Sequence, residues 1–184
     1  KNIIITFDDG YKDNLINALP LLKKYGFNAI IYIVTNLIGK ENYWDINKDK
    51  FIKKELMTKK DIIEWQSNDM FVGSHSYNHT NMCNLSNKEI ENDLKTSKEQ
   101  LENIIGKEVM SFSYPFGRIN LNVYNNVKKF YSNAVTINRS RYIPTKHDKY
   151  LIPRIDMGKK LSKFKLFLKM MTFYEDIKYD KKLI

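Results

Sequence analysis

The chain alternates short apolar runs with amphipathic segments of helical period, and this alternation is the feature that most constrains its fold. Apolar runs predict strands at residues 1–7, 28–34, 70–73, 109–114 and 134–138, with a candidate sixth at 151–155. Helical spacing predicts helices at 14–25, from 58 onward, at 86–106, at 121–131 and at 162–173. Strict alternation favours a parallel sheet or barrel covered by helices over a helical bundle or a β-sandwich. We therefore expect an α/β fold.

Local signals indicate where several helices begin. Thr58 with Asp61, and Ser86 with Glu89, have the pattern of a capping box, in which two side chains satisfy amides at the start of a helix. Pro20 lies inside the first predicted helix. It predicts a kink or a later start, because proline lacks the amide that a helix interior needs.

Composition limits the class of protein. The 184 residues are 42% hydrophobic, which is enough for one globular domain, so we expect a single domain at residues 1–184. The longest apolar runs are far shorter than the roughly 20 residues of a membrane helix. No transmembrane segment is expected, and the start in an apolar strand without Met leaves an upstream segment, including a secretory signal, as an alternative. Cys83 is the single cysteine, which excludes an intrachain disulfide.

The net charge does not indicate nucleic-acid binding. It is formally +10, from 31 lysines and arginines against 21 aspartates and glutamates, and only four of the basic residues are arginine. Recognition of phosphates and bases favours arginine, so a lysine-rich excess is a poor nucleic-acid signature. We interpret it as a solvated basic face, of a kind that attracts an anionic envelope polymer.

The unusual residues lie where predicted strands end. Asp-Asp-Gly at 8–10 follows the first strand, Gly-Ser-His at 73–75 ends the third, and Tyr-Pro-Phe-Gly at 114–117 ends the fourth. In parallel α/β folds the carboxyl ends of the strands point to one rim, where ligands bind. We therefore expect these three segments to converge in space.

His75 and His79 are four residues apart, so both imidazoles can face one cation if the segment turns helically. Asp9 would complete the set, because two histidines and one carboxylate leave coordination positions open for water and substrate. Ordinary hydrogen-bonded histidines are the alternative. Asp8 would then lie beside the ion, where it can accept a proton from the attacking water. A turn cap at Gly10 is the alternative for the aspartate pair.

These motifs resemble a known family. Thr-Phe-Asp-Asp-Gly at 6–10, His-Ser-Tyr-Asn-His at 75–79 and Tyr-Pro-Phe-Gly at 114–117 are similar to motifs of the polysaccharide deacetylases, the NodB-homology or carbohydrate esterase family 4 domain. The resemblance implies a distorted (β/α) barrel that removes N-acetyl groups from amino sugars of a polymer. It also implies one divalent metal ion, most often zinc, with cobalt, nickel or iron as alternatives. Asp8 would be the general base, with Asp9, His75 and His79 as ligands.

The third motif departs from the family pattern. Ser113 stands where the family has an arginine two residues before the proline, an arginine that orients the base. The backbone N–H of Phe116 matches the position that stabilises the oxyanion. Absence of the arginine resembles a subgroup that acts on exported polymers similar to poly-N-acetylglucosamine. Arg154, at the end of the candidate sixth strand, is our candidate for the missing charge.

The general acid is less well indicated. The family's fourth motif, Asp-x-x-Asp-Trp, has no counterpart, and the fifth, Leu-x-x-His-Asp, supplies the acid in typical members. His147 with Asp148 resembles the end of that fifth motif but lacks its leucine. Asp156, or a metal-bound water that returns the proton, are the alternatives.

Aromatic residues flank the motifs. Their faces could pack against sugar rings, or they could be ordinary rim packing. The predicted substrate-contacting residues are Tyr11, Tyr77, Tyr114 and Pro115, with Phe116 beside them. Trp44 and Trp65 are predicted to be core or loop anchors.

The sequence therefore predicts a metal-dependent hydrolase that removes N-acetyl groups from an N-acetylated polysaccharide or oligosaccharide. Three alternatives remain: an O-acetyl esterase acting on a glycan, a non-catalytic metal-binding or glycan-binding module and, more distantly, a nucleic-acid binder. The resemblance implies a protein of the cell envelope or a secreted protein. The sequence does not indicate an oligomeric state.

Overall fold

The computed structural model describes residues 3–46, 51–158 and 161–179. Within these residues, five parallel strands form one curled, half-barrel sheet in the order β1-β2-β3-β4-β5. The strands are β1 Ile5–Phe7, β2 Ala29–Ile33, β3 Phe71–Ser74, β4 Ser111–Ser113 and β5 Asn133–Val135. Sequential order and parallel pairing confirm the predicted α/β class and place the carboxyl ends of all five strands on one rim.

Helices cover the sheet in the predicted alternation. They are α1 Leu19–Tyr25, α2 Lys59–Ser67, α3 Asn87–Ile105, α4 Leu121–Phe130, α5 Lys163–Met171 and α6 Tyr174–Tyr179. Both predicted capping boxes are present, at the starts of α2 and α3. Pro20 lies in the first turn of α1, directly after a π-helical turn at Asn14–Ala18, so the predicted later start is confirmed. None of the described helices has the length and apolar character needed to span a bilayer.

The core lies between the sheet and its helices. Ile90, Leu94 and Leu101 bury one stripe of α3 completely, as the helical spacing of these residues requires. Trp65 is also fully buried, and its indole N–H donates a hydrogen bond to the Phe71 carbonyl at 3.0 Å. The prediction that Trp65 anchors the core is therefore confirmed.

The predicted sixth strand at 151–155 is wrong as a strand. The segment runs parallel to β5, and the amide of Ile152 donates to the Ala134 carbonyl at 3.0 Å, but only a single bridge forms, between Val135 and Ile152. Pro153 has no amide hydrogen, so a regular ladder cannot continue through it. The segment nevertheless carries Arg154 along the edge of the sheet.

The C-terminal helices hold this segment in place. Lys169 of α5 is buried, and its ammonium group pairs with Glu175 at 2.6 Å and donates to the Asp156 carbonyl. Asp176 of α6 accepts hydrogen bonds from the backbone and the guanidinium group of Arg141. The first contact joins α5 to Asp156, two residues after Arg154, and the second joins α6 to Arg141.

Gly73 of β3 leaves room for a tyrosine inside the half-barrel. A Cβ atom at this position would lie 2.5 Å from two ring carbons of Tyr32 and 3.0 Å from the Ser111 carbonyl oxygen. Tyr32 is fully buried, and its hydroxyl hydrogen-bonds the Ser111 hydroxyl at 2.8 Å, so the ring cannot move aside without loss of that bond.

We predict that Gly73→Ala lowers the free energy of unfolding by about 1–3 kcal/mol or more, because overpacking forces the ring and the strand apart. Gly158→Ala is the matched control, since its nearest neighbour would be 3.8 Å from the new Cβ. Urea unfolding followed by circular dichroism measures both. Equal midpoints for Gly73→Ala and wild type would contradict this packing.

Candidate active site

The turn after β1 aims a carboxylate at the rim. Asp9 and Gly10 both have a φ of 73°, in the left-handed region. Gly10 also lies against β2, where an added Cβ would come within 2.9 Å of the Ile33 side chain. Glycine is required there for both reasons. The turn separates the directions of Asp8 and Asp9, so the two acids take different partners.

The loop after β3 brings the two histidines together. Their spacing predicted a helical turn, but the loop does not form one. Ser76 and His79 have φ values of 68° and 53°, and the His79 amide donates to the Ser76 hydroxyl at 2.9 Å. The His75 amide donates to the Ile33 carbonyl at 2.9 Å, which fixes the start of the loop. Two residues with left-handed φ, rather than one turn of helix, therefore bring the histidine rings together.

Asp93 of α3 holds this loop through hydrogen bonds to its backbone. It is buried, and its carboxylate accepts the amides of Tyr77 at 2.8 Å and of Asn78 at 3.2 Å. Burial raises the pKa of Asp93, although these two amides oppose the shift. The sequence analysis missed this residue. Its signal is a carboxylate in the buried stripe of a helix, next to Leu94, where an apolar side chain is expected.

Asp9, His75 and His79 converge as predicted. The Nε2 atoms of His75 and His79 lie 3.3 and 3.4 Å from Oδ1 of Asp9, and one ligand atom from each residue lies within 4.8 Å of the others. Both histidines are buried, whereas 23% of the Asp9 side chain is exposed. The cluster is therefore closed on the protein side and open towards solvent.

The chemistry of these donors fits a divalent cation. Nδ1 of His75 lies 2.7 Å from the Ser113 carbonyl oxygen, to which it can only donate, so in the neutral ring Nε2 carries the lone pair that faces Asp9. Burial opposes the charged form of Asp9, but hydrogen bonds from His75 and His79 outweigh it and lower the pKa of this carboxyl. Burial lowers the pKa of His75, whereas its hydrogen bond with Asp9 and the charges of both aspartates raise it, with a net upward shift. Each shift favours a positive charge among the three donors.

Asp8 takes a different partner, Arg154. The guanidinium group donates to both carboxylate oxygens, from Nη1 at 2.8 Å and from Nη2 at 2.7 Å. It also donates from Nε to the Thr136 carbonyl at 2.9 Å and from Nη1 to the Thr6 hydroxyl at 3.2 Å. Burial raises the pKa of Asp8, but the hydrogen bond from Arg154 and the charge of His75 outweigh burial, so the net shift of this pKa is downward. The structure thus places Arg154 against Asp8, as the sequence analysis expected.

Ser113 lies within the same network. Its hydroxyl is 3.3 Å from the nearer oxygen of Asp8 and 3.4 Å from Nη2 of Arg154. Ser113 precedes Pro115 by two positions, where the family pattern has arginine. Its short side chain leaves room for a guanidinium group that comes from a different part of the chain.

Phe116 borders the histidines. It has a φ of 56°, and the following amides of Gly117 and Arg118 donate to the carbonyls of Tyr114 and Pro115. Its side chain is 42% exposed, and its ring centroid lies 4.5 Å from that of His79. The segment after β4 therefore reaches the rim beside the cluster, as predicted.

Two of the predicted aromatic and proline contacts lie elsewhere. Tyr114 is 1% exposed, and its hydroxyl donates to the Tyr150 carbonyl at 3.1 Å. Pro115 is also buried. Side chains in these positions cannot contact a sugar at the rim, so the predicted substrate role of Tyr114 and Pro115 is corrected. Tyr11 and Tyr77 are partly buried, and their predicted substrate role stays a prediction.

The candidate general acid is at the wrong end of the sheet. The ring of His147 stacks on Tyr142, with centroids 6.1 Å apart, and its Nδ1 accepts the Ile143 amide. Tyr142 lines a cavity with Asn28 and other residues that precede the strands. His147 therefore lies near the amino ends of the strands, opposite the rim that carries the metal ligands. The Asp156 carboxylate pairs with Arg139 at 2.7 Å.

Trp44 was predicted to be a core or loop anchor, and it lies in an irregular segment, although its place beside the histidines was not predicted. It is partly buried, and its ring centroid lies 4.4 Å from that of His79, rather than in the core. It comes from the polar stretch between β2 and α2, where no periodic pattern predicts which way a side chain points.

Comparison with known proteins identifies the family. A family model described as "Polysaccharide deacetylase" matches residues 1–135. The chain belongs to the polysaccharide deacetylase family. Poly-beta-1,6-N-acetyl-D-glucosamine N-deacetylase of Staphylococcus aureus (strain MSSA476) is 30% identical over 159 residues, which are 84% of this chain and 54% of that protein. The chain spans about half or less of the length of the curated relatives that it matches.

Solved structures of deacetylases share the fold. Streptococcus pyogenes deacetylase PplD, in complex with acetate, superposes with a TM-score of 0.77 at 24% identity, over 90% of this chain and 68% of that one. The polysaccharide deacetylase BC0361 from Bacillus cereus gives a TM-score of 0.77 at 26% identity, over 91% of this chain and 50% of that one. The predicted NodB-like, distorted barrel is thereby confirmed.

We predict that Asp93→Asn destabilises the protein by about 1–3 kcal/mol, because the carboxamide accepts fewer hydrogen bonds and turns an N–H donor towards the loop amides. Zn²⁺ affinity should fall roughly 10–100-fold, as is typical when a group that supports metal ligands is changed. Urea unfolding and calorimetric titration measure these effects.

Glu99→Gln, an exposed carboxylate on the same helix, is the control. Unchanged stability and unchanged Zn²⁺ affinity in Asp93→Asn would show that the loop does not depend on Asp93.

Proposed function

We propose that this chain is a metal-dependent hydrolase that removes N-acetyl groups from N-acetylhexosamine units of a polysaccharide. The observation that carries the proposal is the cluster of Asp9, His75 and His79 beside a second acid, Asp8, that Arg154 holds in place. The Staphylococcus aureus relative is named as an N-deacetylase of poly-β-1,6-N-acetyl-D-glucosamine, which supports a polymer of that class. Such a polymer would place the protein at the cell envelope or outside the cell.

Asp9, His75 and His79 would hold one divalent ion. Imidazole and carboxylate donors suit zinc, and cobalt, nickel or iron would also be accepted by this set. When bound, the ion would supply Lewis-acid polarisation of the acetyl carbonyl and would acidify water. The exposed side of Asp9 is where the acetyl group would enter.

Asp8 would act as the general base. Arg154 keeps this carboxylate ionised and holds it in one orientation, since both of its oxygens accept from the guanidinium group. A carboxylate oxygen has two lone pairs, so each oxygen can still accept a proton from water. With His147 at the other end of the sheet, we propose that the proton taken up by Asp8 is the one that passes to the leaving amine.

The backbone N–H of Phe116 would donate to the oxygen that becomes negative in the tetrahedral intermediate. Its left-handed φ of 56° turns this peptide away from a regular helix beside His79. The amides that follow it are already bonded within the turn.

We predict that Asp8→Asn keeps metal affinity but lowers kcat for acetate release from N-acetylglucosamine oligomers by roughly 10²–10⁴-fold, the usual contribution of a general base. In the unaltered protein, chelation should abolish acetate release, and Zn²⁺ or Co²⁺ should restore it. Asp13→Asn is the control, because Asp13 pairs with Lys54 on the surface nearby.

Full activity of Asp8→Asn would refute its role as base. Glycan binding without acetate release at any metal loading would favour a non-catalytic module instead. Release from acetyl esters of sugars, but not from the amides, would favour an O-acetyl esterase.

We predict that Arg154→Gln lowers kcat roughly 10–100-fold, as is typical when a side chain that orients an active-site group is removed. It should also move the acidic limb of the pH profile of kcat/KM to higher pH. The sign follows because the hydrogen bonds from Arg154 lower the pKa of Asp8, and their loss allows burial to raise it. Arg139→Gln removes an exposed ion pair and serves as the control. An unmoved acidic limb in Arg154→Gln would exclude this coupling.

A further inference from the structure

Four aromatic rings form a continuous strip across the rim of the metal site. Ring centroids are 6.1 Å apart between Tyr11 and Trp44, 4.4 Å between Trp44 and His79, and 4.5 Å between His79 and Phe116. We call these four residues the aromatic strip. His79 thus lies between Trp44 and Phe116, and neither of these two residues is buried.

Trp44 is held in the strip by the segment that carries it. Buried Asn42 accepts the Lys54 amide at 2.7 Å and donates to the Ile52 carbonyl at 3.1 Å, so the segment closes on itself. The Met57 amide donates to the Gly10 carbonyl at 2.9 Å, which joins the segment to the turn after β1. Trp44 is therefore positioned by hydrogen bonds at both ends of its segment.

The two tryptophans differ in their surroundings. Trp65 is fully buried and donates its indole N–H to a backbone carbonyl, as a core anchor does. Trp44 keeps part of its surface exposed and lies against a histidine of the candidate metal site. A large, rigid aromatic surface beside an open site is suited to stacking on an apolar ring face.

We propose that Trp44 is a substrate-binding residue, whose ring stacks on a pyranose ring of the hexosamine polymer next to the unit that carries the scissile acetyl group. The inference rests on the proposed function of the adjacent site. It adds a contact that discriminates sugar polymers from small acetyl compounds, because only a polymer has a second ring to place on Trp44.

Tryptophan fluorescence tests the placement directly. The chain has two tryptophans, and Trp65 is buried, so Trp44 should dominate any response to ligands. Cu²⁺, which quenches indole emission at short range, should quench the unaltered protein strongly and Trp44→Phe weakly. Hexameric N-acetylglucosamine should shift the emission of the unaltered protein but not that of Trp44→Phe. Identical emission shifts of the two proteins with the hexamer would overturn the proposal.

Kinetics test the role. Trp44→Ala should lower kcat/KM for the hexamer about tenfold, mainly through KM, a typical loss for a buried aromatic contact. Hydrolysis of 4-nitrophenyl acetate, which has no sugar ring, should fall clearly less than hydrolysis of the hexamer. Trp44→Phe should recover most of the loss. Tyr43→Ala, the neighbouring aromatic whose hydroxyl bonds Glu41, is the control. Equal losses on the hexamer and on the ester would indicate a merely structural role and overturn the proposal.

The outcomes separate the two proposals. Acetate release from the hexamer that Trp44→Ala leaves unchanged would overturn the role of Trp44 and keep the deacetylase. No acetate release by the unaltered protein would overturn the proposed deacetylase activity. The fluorescence shift with the hexamer would then still decide whether Trp44 binds the sugar polymer.

Discussion

The candidate site depends on one electrostatic constraint: a carboxylate and two imidazole nitrogens meet within hydrogen-bonding range, where a positive charge must lie among them. Oδ1 of Asp9 lies 3.3 Å from Nε2 of His75 and 3.4 Å from that of His79. The backbone on both sides of this contact is strained, since Asp9, Ser76 and His79 all have positive φ. Such conformations cost up to about 1–3 kcal/mol each, less for Asp and His, and persist only where the surroundings hold them.

The rest of the fold supplies those surroundings. Asp93 holds the histidine loop through two amides, and the Ser113 carbonyl fixes the ring of His75. Arg154 acts over a longer range. Its guanidinium group joins the segment beside β5 to Thr6 and Asp8 at the opposite edge of the sheet. The same ion pair thus orients an acid and links the two edges of the half-barrel.

Residues with a strong local pattern were predictable from the sequence. The alternation of predicted strands and helices indicated the parallel sheet. The position of Asp9 and the histidines at the ends of predicted strands indicated that they converge. Strand parity could also have placed Tyr114 correctly, because it is two residues from buried Phe112 and therefore faces the same side. Trp44 and His147 lie in irregular segments, where tertiary hydrogen bonds, rather than any period, decide which way a side chain points.

Calorimetric titration of Zn²⁺ into chelator-treated protein tests the central claim most directly, with the unaltered chain compared with Asp9→Asn and His79→Gln. The account predicts one ion per chain for the unaltered protein and affinity at least about 100-fold weaker in each variant, because each loses one of three ligands. Undiminished binding in both variants, or no binding to the unaltered chain, would contradict it.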